Sequence, residues 1–505
     1  MSPLRKPLAT ALLLLAAALP AASAQAPAPT QTTPQAPARE TPPPPQPERE
    51  VRLPQVHEKT LANGLRVVVL ENHEQPSVTL RVVVPAGKIY DVADKAGLSG
   101  ATATLLTKGT QSRSAQQIAE TIDSVGGSLQ SLSGNDFNFV FTQVTSDQMD
   151  RGLELLADVV QKPSFPAEEV ERWRRQMLSA LQVQSQDPEY LAEAVFARAV
   201  YGGHSYGLPA EGTPASVGGL TRDDLVAFHQ KHYVPNGAIF GVVGDVKPAD
   251  AFARVEKYFG GWKKGAPPVP PTLKATAGQQ RKIVVIDKPD AVQTQVYVGQ
   301  LGMSFRDPAF FPGQVYNSVL GGGVSARLYR EIRRDRGLAY GAYSAFDTPM
   351  QTGSFQASTS TKTESTVEVL DLILTTMSKL AAEPVGSTEL EGRKTYLSGT
   401  FVRQTEVPDN IATLLIQAMS NGYGKEYIES YRDRVQAVTP ADVQRFAKER
   451  IHPDQAVIVL VGNAAGFADD LKKKLGAFET IPYDQVDLLR ADLREVKKEE
   501  AKPAS

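Results

Sequence analysis

Six histidines supply the side chains of this sequence that are best suited to binding a metal ion: His57, His73, His204, His229, His232 and His452. His229 and His232 are three residues apart on a predicted helix, and this spacing would let them share one ion. No acidic residue stands beside them to complete a catalytic ligand set. We therefore expect the two side chains to lie on a solvated helix face, and a relocated metal site there is the less favoured alternative.

Nucleophilic chemistry has little support in the sequence. The chain has no cysteine, so thiol catalysis and sulfur-ligated zinc are excluded. No Gly-x-Ser-x-Gly elbow occurs, and the adjacent His204 and Ser205 do not make a catalytic pair. Gly321-Gly322-Gly323 lacks the Lys-Ser/Thr of a phosphate loop and instead indicates a close approach of two backbone segments.

The N-terminal residues have the features of an export signal. Arg5 and Lys6 precede an apolar run from Leu8 to Leu19, and Ala22-Ser23-Ala24 supplies a small-x-small cleavage pattern. The run is shorter than the roughly 20 residues that span a bilayer. We expect a cleaved signal peptide over residues 1–24 and a periplasmic protein. An uncleaved anchor and secretion beyond the cell are the alternatives.

The rest of the chain indicates two compact regions between polar segments. Residues 25–52 form a Pro-rich tether, residues 265–279 a Pro-rich linker, and residues 486–505 a charged tail. The formal charge is −2, from 54 basic and 56 acidic residues, so nucleic acid is not an expected partner. No later segment is long and apolar enough to span a membrane once the signal is removed.

The two compact regions, residues 53–264 and 280–485, repeat each other. The segment from Thr221 to Gly244 matches the segment from Thr439 to Gly462, 218 residues later, without a gap. Each copy has a threonine N-cap, an amphipathic helix, a proline turn and an apolar strand. Arg81–Gly87 likewise resembles Val296–Gly302.

Mixed strands and helices, with a hairpin signal at Ala62-Asn63-Gly64, indicate an α+β fold. We predict strands at Leu65–Leu70 and Ser77–Val84, and a helix at Gly97–Thr107. The predicted architecture is two homologous lobes, each a mixed β-sheet with helices packed on one face. The lobes are expected to face each other as a clam-shell.

The order of short motifs carries a family resemblance. Leu61–Val68 opens the series, which continues with Gly87, Ala96-Gly97-Leu98, Lys108-Gly109-Thr110, Trp173, His204–Gly207, Tyr233–Asn236 and Val242–Asp245, and then Gly321–Gly323, Ser325–Leu328 and Arg333–Tyr340. From about Val56 to about Tyr483 the chain resembles the half-size class of the insulinase/pitrilysin metallopeptidases. The resemblance implies a two-domain zinc peptidase fold.

Active members of that family carry His-x-x-Glu-His between the Gly-Leu and Lys-Gly-Thr motifs, and a third ligand about 75 residues later. The five corresponding positions here read Gly100, Ala101, Thr102, Ala103 and Thr104. The third ligand position falls near Ala180. Both histidines and both acidic residues are therefore replaced, and we expect this chain to bind no zinc itself.

The resemblance also implies an Arg–Tyr pair, seven residues apart, that reaches the substrate from the second lobe. Arg333 and Tyr340 match this spacing. In the family the pair is thought to hold the peptide and stabilise the oxyanion. A basic helix end followed by an ordinary strand tyrosine is the alternative explanation.

A vacant zinc motif beside a retained pair predicts a non-catalytic subunit. We expect it to bind unfolded peptides and to donate Arg333 and Tyr340 to a zinc-bearing partner chain, with zinc as the partner's cofactor. Whether the second chain is a different subunit or a second copy stays open, as does peptidase activity of the isolated chain. The alternatives are a structural or chaperone-like peptide-binding scaffold, and a hydrolase with its metal at His229 and His232.

Overall fold

The computed structural model describes residues 53–273 and 280–495. The predicted signal peptide, the tether, the end of the linker and residues 496–505 of the predicted tail lie outside the described residues. Lobe 1 (residues 53–264) and lobe 2 (residues 280–485) are named here after the two predicted domains.

Lobe 1 is built on one six-stranded mixed sheet. Its strands are β1 (Val56–Thr60), β2 (Arg66–Glu71), β3 (Ser77–Val84), β4 (Ser128–Ser133), β5 (Asn138–Thr145) and β6 (Ile239–Gly244). Their order across the sheet is β1-β2-β6-β3-β5-β4. Strands β2 and β6 are parallel, and the other neighbours are antiparallel.

The helices of lobe 1 are α1 (Leu98–Leu105), α2 (Ala115–Asp123), α3 (Met149–Gln161), α4 (Ala167–Gln184), α5 (Pro188–Tyr201), α6 (Pro214–Gly219), α7 (Arg222–His232) and α8 (Pro248–Phe259). Helices α3 and α8 cover one face of the sheet, where alternate strand residues such as Val67, Val69 and Leu80 are fully buried. The predicted elements of this lobe agree with the observed ones to within about two residues.

Lobe 2 repeats this plan. Its strands are β7 (Lys282–Asp287), β8 (Gln293–Leu301), β9 (Ala339–Phe346), β10 (Ser354–Lys362), β11 (Val457–Gly462) and β12 (Glu479–Pro482), in the order β12-β7-β11-β8-β10-β9. Its helices are α9 (Phe310–Leu320), α10 (Thr366–Ala382), α11 (Ser387–Gln404), α12 (Pro408–Ser420), α13 (Glu426–Glu429), α14 (Tyr431–Gln436), α15 (Pro440–Arg450) and α16 (Ala468–Leu475). A π-helical turn, Tyr329–Arg334, precedes β9.

The repeat predicted from the sequence is confirmed in the fold. Thr221 caps α7 and Thr439 caps α15, each in a capping box in which its hydroxyl accepts the amide of the aspartate three residues on. Each helix leads into a central strand, β6 or β11, that is parallel to one neighbour and antiparallel to the other. The two-lobed α+β prediction is therefore confirmed.

The lobes contact each other by exchanging one helix each, a feature that the sequence did not predict. Helix α5 of lobe 1 packs on β8 and β11, and Phe196 shares a core with Tyr297 and Val459. Helix α12 of lobe 2 packs on β6, where Ile416 lies against Gly241. Each sheet therefore has its own helices on one face and a helix of the other lobe on the opposite face.

The first part of the predicted tail also packs on lobe 1. Arg198 on α5 is 3% exposed and donates hydrogen bonds to the carbonyl oxygens of Arg490 at 3.1 Å and Leu489 at 2.7 Å. Leu493 is fully buried in the same core. Residues 486–495, near the C terminus of the chain, therefore hold α5 in place.

Candidate functional site

The vacant zinc-motif positions lie on α1. This helix begins after Gly97, whose φ of 88° places it in the left-handed region. The carboxylate of Asp91 accepts the amides of Gly97 at 3.0 Å and Ser99 at 2.9 Å. These bonds satisfy two amides at the start of a short helix that its own turns cannot pair.

The five motif positions lie on two sides of α1, one exposed and one buried. Gly100 and Thr104 lie one turn apart on the same face, where Gly100 is partly exposed and Thr104 is exposed. Thr102 is buried and donates its hydroxyl hydrogen to the carbonyl of Leu98 at 2.8 Å. Ala103 is 1% exposed. The two positions predicted to correspond to the histidine ligands thus lie where ligands could project, but their side chains cannot bind zinc.

The third ligand position belongs to α4, which packs beside α1. Ala180 is exposed on this helix. Among Gly100, Ala103, Thr104 and Ala180 the only side-chain heteroatom is the hydroxyl of Thr104, and zinc in proteins takes nitrogen, sulfur or carboxylate ligands. The residues present at this site therefore do not fit zinc. Nowhere in residues 53–273 and 280–495 do three or more His, Cys, Asp or Glu side chains form a group that could hold a metal.

Arg333 and Tyr340 are brought together in lobe 2. The guanidinium carbon of Arg333 lies 5.3 Å from the centre of the Tyr340 ring, a cation–π contact. Arg333 is exposed, and Tyr340 is 88% exposed. Within the described part of the chain, neither the guanidinium group nor the phenol hydroxyl makes a side-chain hydrogen bond. Both donors therefore face solvent and are available to a ligand.

The π-helical turn positions Arg333. Such turns are rare and concentrate at functional sites. Arg327 just before the turn and Arg330 within it both bind Glu389 of α11, with Arg327 donating two hydrogen bonds of 3.1 and 2.7 Å. Burial acts to raise the pKa of Glu389, but the hydrogen bond and charge of Arg327 hold it below its usual value. Glu389 therefore stays ionised and fixes the turn.

A β-bulge positions Tyr340. Between β9 and β10 the register passes from Ala342 opposite Thr359 to Ala339 opposite Thr361, which leaves one extra residue in β9. The hydroxyl of Thr359 donates to the carbonyl of Gly341 at 2.7 Å. Regular alternation with the buried Ala342 would turn Tyr340 into the core, so we attribute its outward direction to the bulge.

The Gly321–Gly323 turn lies against the outer edge of β9. The amide of Ser344 donates to the carbonyl of Gly321 at 3.1 Å. A Cβ atom on Gly321 would lie 2.3 Å from the Ser344 nitrogen, so only glycine fits there. The close backbone approach predicted for these glycines is confirmed.

Comparison with known families agrees with this geometry. Residues 66–213 match the family described as insulinase (peptidase family M16), and residues 219–397 match the peptidase M16 inactive domain. An uncharacterized zinc protease of Mycobacterium tuberculosis is 30% identical over 408 residues, which cover 79% of this chain and 92% of that protein. The chain belongs to peptidase family M16. A zinc protease of Mycobacterium leprae, also uncharacterized, is 29% identical over 417 residues, 82% of this chain and 93% of that one.

Solved structures share the M16 fold over most of the chain. A peptidase M16 inactive domain from Pseudomonas fluorescens superposes with a TM-score of 0.76 at 28% identity, covering 81% of this chain and 98% of its own. A protease from Helicobacter pylori gives the same TM-score of 0.76 at 22% identity, covering 81% of this chain and all of its own. The second likeness shows the fold alone.

The prediction that His229 and His232 lie on a solvated helix face is wrong. They are 9% and 2% exposed. The Nε2 atom of His229 is 2.8 Å from the carbonyl oxygen of Val160, and His232 stacks on Phe228 with ring centres 4.3 Å apart. Burial lowers the pKa of each imidazole to about 4. The two rings are core residues of this M16 lobe, which removes the relocated metal site.

A cavity of about 450 Å³ lies where the two lobes meet the linker. The carboxylate of Asp136 in its wall already accepts the amide of Met350 at 2.8 Å and the hydroxyl of Tyr206. None of the site residues predicted from the sequence lines it. The polar groups of this cavity hold the lobes together, and the candidate functional surface of the M16 chain is the one around Arg333 and Tyr340.

Proposed function

We propose that this chain is the exported, zinc-less subunit of a two-chain M16 metalloendopeptidase. It would bind unfolded peptides and donate Arg333 and Tyr340 to a zinc centre held by a partner M16 chain. The observation that carries this proposal is the contrast between the lobes. Lobe 1 presents no zinc ligand at the motif positions, whereas lobe 2 keeps an exposed Arg–Tyr pair on irregular backbone.

The pair suits a substrate that develops negative charge on an oxygen. A guanidinium group and a phenol hydroxyl are strong donors, and donors fixed in advance stabilise an oxyanion more than they stabilise the neutral carbonyl. Arg333 is fixed by the π-helical turn and Tyr340 by the bulge, so little ordering would remain to be done on binding. The metal, and the water that it activates, would belong to the partner.

Export is proposed from the N-terminal residues alone. Arg5, Lys6, the apolar run and Ala22-Ser23-Ala24 favour a cleaved signal and a periplasmic location. None of the helices in the described ranges is long and apolar enough to cross a membrane. Periplasmic fractionation with N-terminal sequencing tests this part: a mature chain that begins at Gln25 supports it, and a cytoplasmic chain that keeps Met1 contradicts it.

Mixing tests the subunit proposal. A quenched fluorescent unfolded peptide would be incubated with this chain alone, with this chain plus zinc, and with an M16 chain of the same organism that carries the zinc motif. We expect the first two samples to be inert and the mixture to cleave faster than the zinc-bearing chain alone. Chelator-sensitive cleavage by this chain alone would contradict the vacant site.

A scaffold without a role in proteolysis is the competing function. On that account the two chains would associate and bind peptide, but Arg333 and Tyr340 would be dispensable. An active mixture whose rate does not change with Arg333→Ala or Tyr340→Ala would favour the scaffold.

A further inference from the structure

Exposed aromatic side chains collect around the Arg–Tyr pair. Within the described residues the strongly exposed tyrosines are Tyr340, Tyr343 and Tyr396, at 88, 44 and 48%. Val324, 63% exposed, directly follows the glycine turn, where Gly323 approaches Tyr396. Exposed apolar surface of this kind is unfavourable in water and typically marks a place where something binds.

The Gly321–Gly323 turn joins these side chains into one surface. A Cβ atom on Gly323 would lie 3.3 Å from the phenol oxygen of Tyr396, and one on Gly321 would contact the backbone of Tyr343 and Ser344. The ring of Tyr343 lies over Gly341, next to Tyr340. The surface therefore runs from Tyr396 on α11, across the turn, to Tyr343 and Tyr340 on β9.

Tyr396 forms a second Arg–Tyr pair, but one of a different kind. The guanidinium carbon of Arg393 lies 4.7 Å from the centre of its ring. Arg393 is 5% exposed and donates to the hydroxyl of Ser318 at 3.0 Å and the carbonyl of Gly322 at 3.1 Å. Arg393 thus supports the ring of Tyr396, and the group that remains open to a ligand is this ring.

We propose that Tyr396 and Tyr343, with Val324, form an aromatic subsite that binds a large apolar or aromatic side chain of the peptide. The inference rests on the proposed function for its ligand, an extended peptide held at Arg333 and Tyr340. A ring supported on one side binds an apolar side chain at little cost in conformational entropy. Arg393, the cation in contact with the Tyr396 ring, is committed to Gly322 and Ser318.

The edge of β9 argues against a second copy of the chain as the occupant. The carbonyl of Gly321 already takes the amide of Ser344, so a strand from another copy could not pair along the whole edge. A short extended segment beside Tyr340 meets no such block. The continuity of the surface with Arg333 and Tyr340 therefore favours a peptide.

Binding of matched peptides to the full chain tests the subsite. A fluorescein-labelled peptide of Gly, Ser and Ala would be made with a single Phe at successive positions, and with Ala there instead. From the size of aromatic contacts we expect about five- to tenfold tighter binding when Phe stands at one favoured position. Tyr396→Ala should abolish this preference, and Tyr396→Phe, which keeps the ring, should retain it.

Equal affinity for the Phe and Ala peptides at every position would overturn the subsite, as would a preference that Tyr396→Ala leaves unchanged. So would a dimer, seen by sedimentation, that Tyr396→Ala dissociates without any peptide preference. Circular dichroism of each variant guards against loss of the fold. Peptide binding is measured without a partner chain. An inert two-chain mixture would therefore count against the proposed function, whereas the subsite would still be judged by the peptide-binding result alone.

Discussion

Lobes 1 and 2 share the order of five strands, a capping box and an exchanged helix, yet they differ at the equivalent edge strands β4 and β9. In lobe 1 the edge strand β4 pairs with β5 in unbroken register, and α1 beside it carries small side chains at the motif positions. In lobe 2 the edge strand β9 has a bulge, a π-helical turn before it and a glycine turn against it.

The irregular backbone of lobe 2 lies around Arg333 and Tyr340. A bulge and a π-helical turn each interrupt regular hydrogen bonding and cost free energy relative to regular structure. In lobe 2 these features position Arg333 and Tyr340. In lobe 1 the equivalent edge strand β4 has no bulge, and the predicted motif positions on α1 beside it carry no zinc ligand.

Restoring the zinc ligands should have the largest effect. Gly100→His, Thr104→His and Ala180→Glu together would rebuild two ligands one turn apart and a third on the neighbouring helix, leaving the buried Ala103 unchanged. A Cβ atom on Gly100 would lie 3.3 Å from the carbonyl oxygen of Ala210, so the change needs only a small adjustment. We expect one zinc per chain by elemental analysis, with a metal-dependent rise in melting temperature.

The double variant without Thr104→His is the control for that experiment and should bind zinc much more weakly. A folded triple variant that binds no zinc would mean that the vacant site has been placed on the wrong residues.

Replacing Gly299 or Gly241 with alanine should destabilise the chain by different amounts, and each of these glycines lies against one of the two exchanged helices. A Cβ atom on Gly299 would lie 1.9 Å from the carbonyl oxygen of Phe355 and 2.7 Å from the ring of Phe196 on α5. On Gly241 it would meet the side-chain end of Ile416 on α12 at 2.5 Å. We expect Gly299→Ala to lower the free energy of unfolding by about 3 kcal/mol and Gly241→Ala by about 1 kcal/mol, because a backbone atom cannot move aside.

Urea unfolding checks this order. Gly392→Ala, on the exposed side of α11 with open space around it, is the matched control and should stabilise the chain by about 0.5–1 kcal/mol. Equal losses at Gly241 and Gly299 would contradict the closer approach of the Phe355 backbone to Gly299.

Thr359 should affect activity through Tyr340. Thr359→Val removes the hydrogen bond that holds the bulge at Gly341. A hydrogen bond of this kind contributes about 1 kcal/mol, so we expect roughly a fivefold lower kcat in the active mixture with little change in KM. Thr359→Ser keeps the hydroxyl and should restore the rate. A Ser variant as slow as Val would show that packing of the threonine methyl, rather than the bulge, matters.

The smallest effect concerns a charge cluster that lobe 1 has and lobe 2 lacks. His73 lies between Asp245 and Glu71, and the position equivalent to Asp245 is Asn463. Hydrogen bonds, first to Asp245 and then to Glu71, raise the pKa of His73, and the bond to His73 lowers the pKa of Asp245.

The stabilisation from His73 is present below its unfolded pKa of about 6.5 and is lost as pH rises through the raised folded value. That from Asp245 is present above about 3.9 and is lost as pH falls through its lowered folded value. The melting temperature of the wild type should therefore exceed that of His73→Gln mainly between these limits. A difference that does not vary with pH would contradict the cluster.

Much of the fold could be predicted from the sequence because local signals and the repeat agree. Thr221 and Thr439 mark helix starts, and the gapless spacing fixes the equivalent strands. The helix exchange could not be predicted, because the apolar side chains of α5 and α12 do not indicate which sheet they cover. The burial of His229 and His232 was missed because two polar rings among Phe228 and Tyr233 resemble a solvated face in the sequence.

The site could be predicted only as a set of positions. Arg333 and Tyr340 could be named from their spacing, but not their contact or their exposure. The bulge held by Thr359 gives no local signal, since threonine is common in strands. Tyr396 lies more than fifty residues from Tyr340 in the chain and joins the surface only through the glycine turn.

The central claim is that this chain supplies Arg333 to a zinc site on another chain. The most direct test compares the kcat of the two-chain mixture for the wild type, Arg333→Ala and Arg336→Ala. Arg336 is the control, because it is a nearby exposed arginine without a ring contact. Loss of an oxyanion donor costs roughly 100- to 1000-fold. We predict such a loss for Arg333→Ala alone, with the zinc content of the partner unchanged. An Arg333→Ala mixture as active as the wild-type mixture would contradict the account.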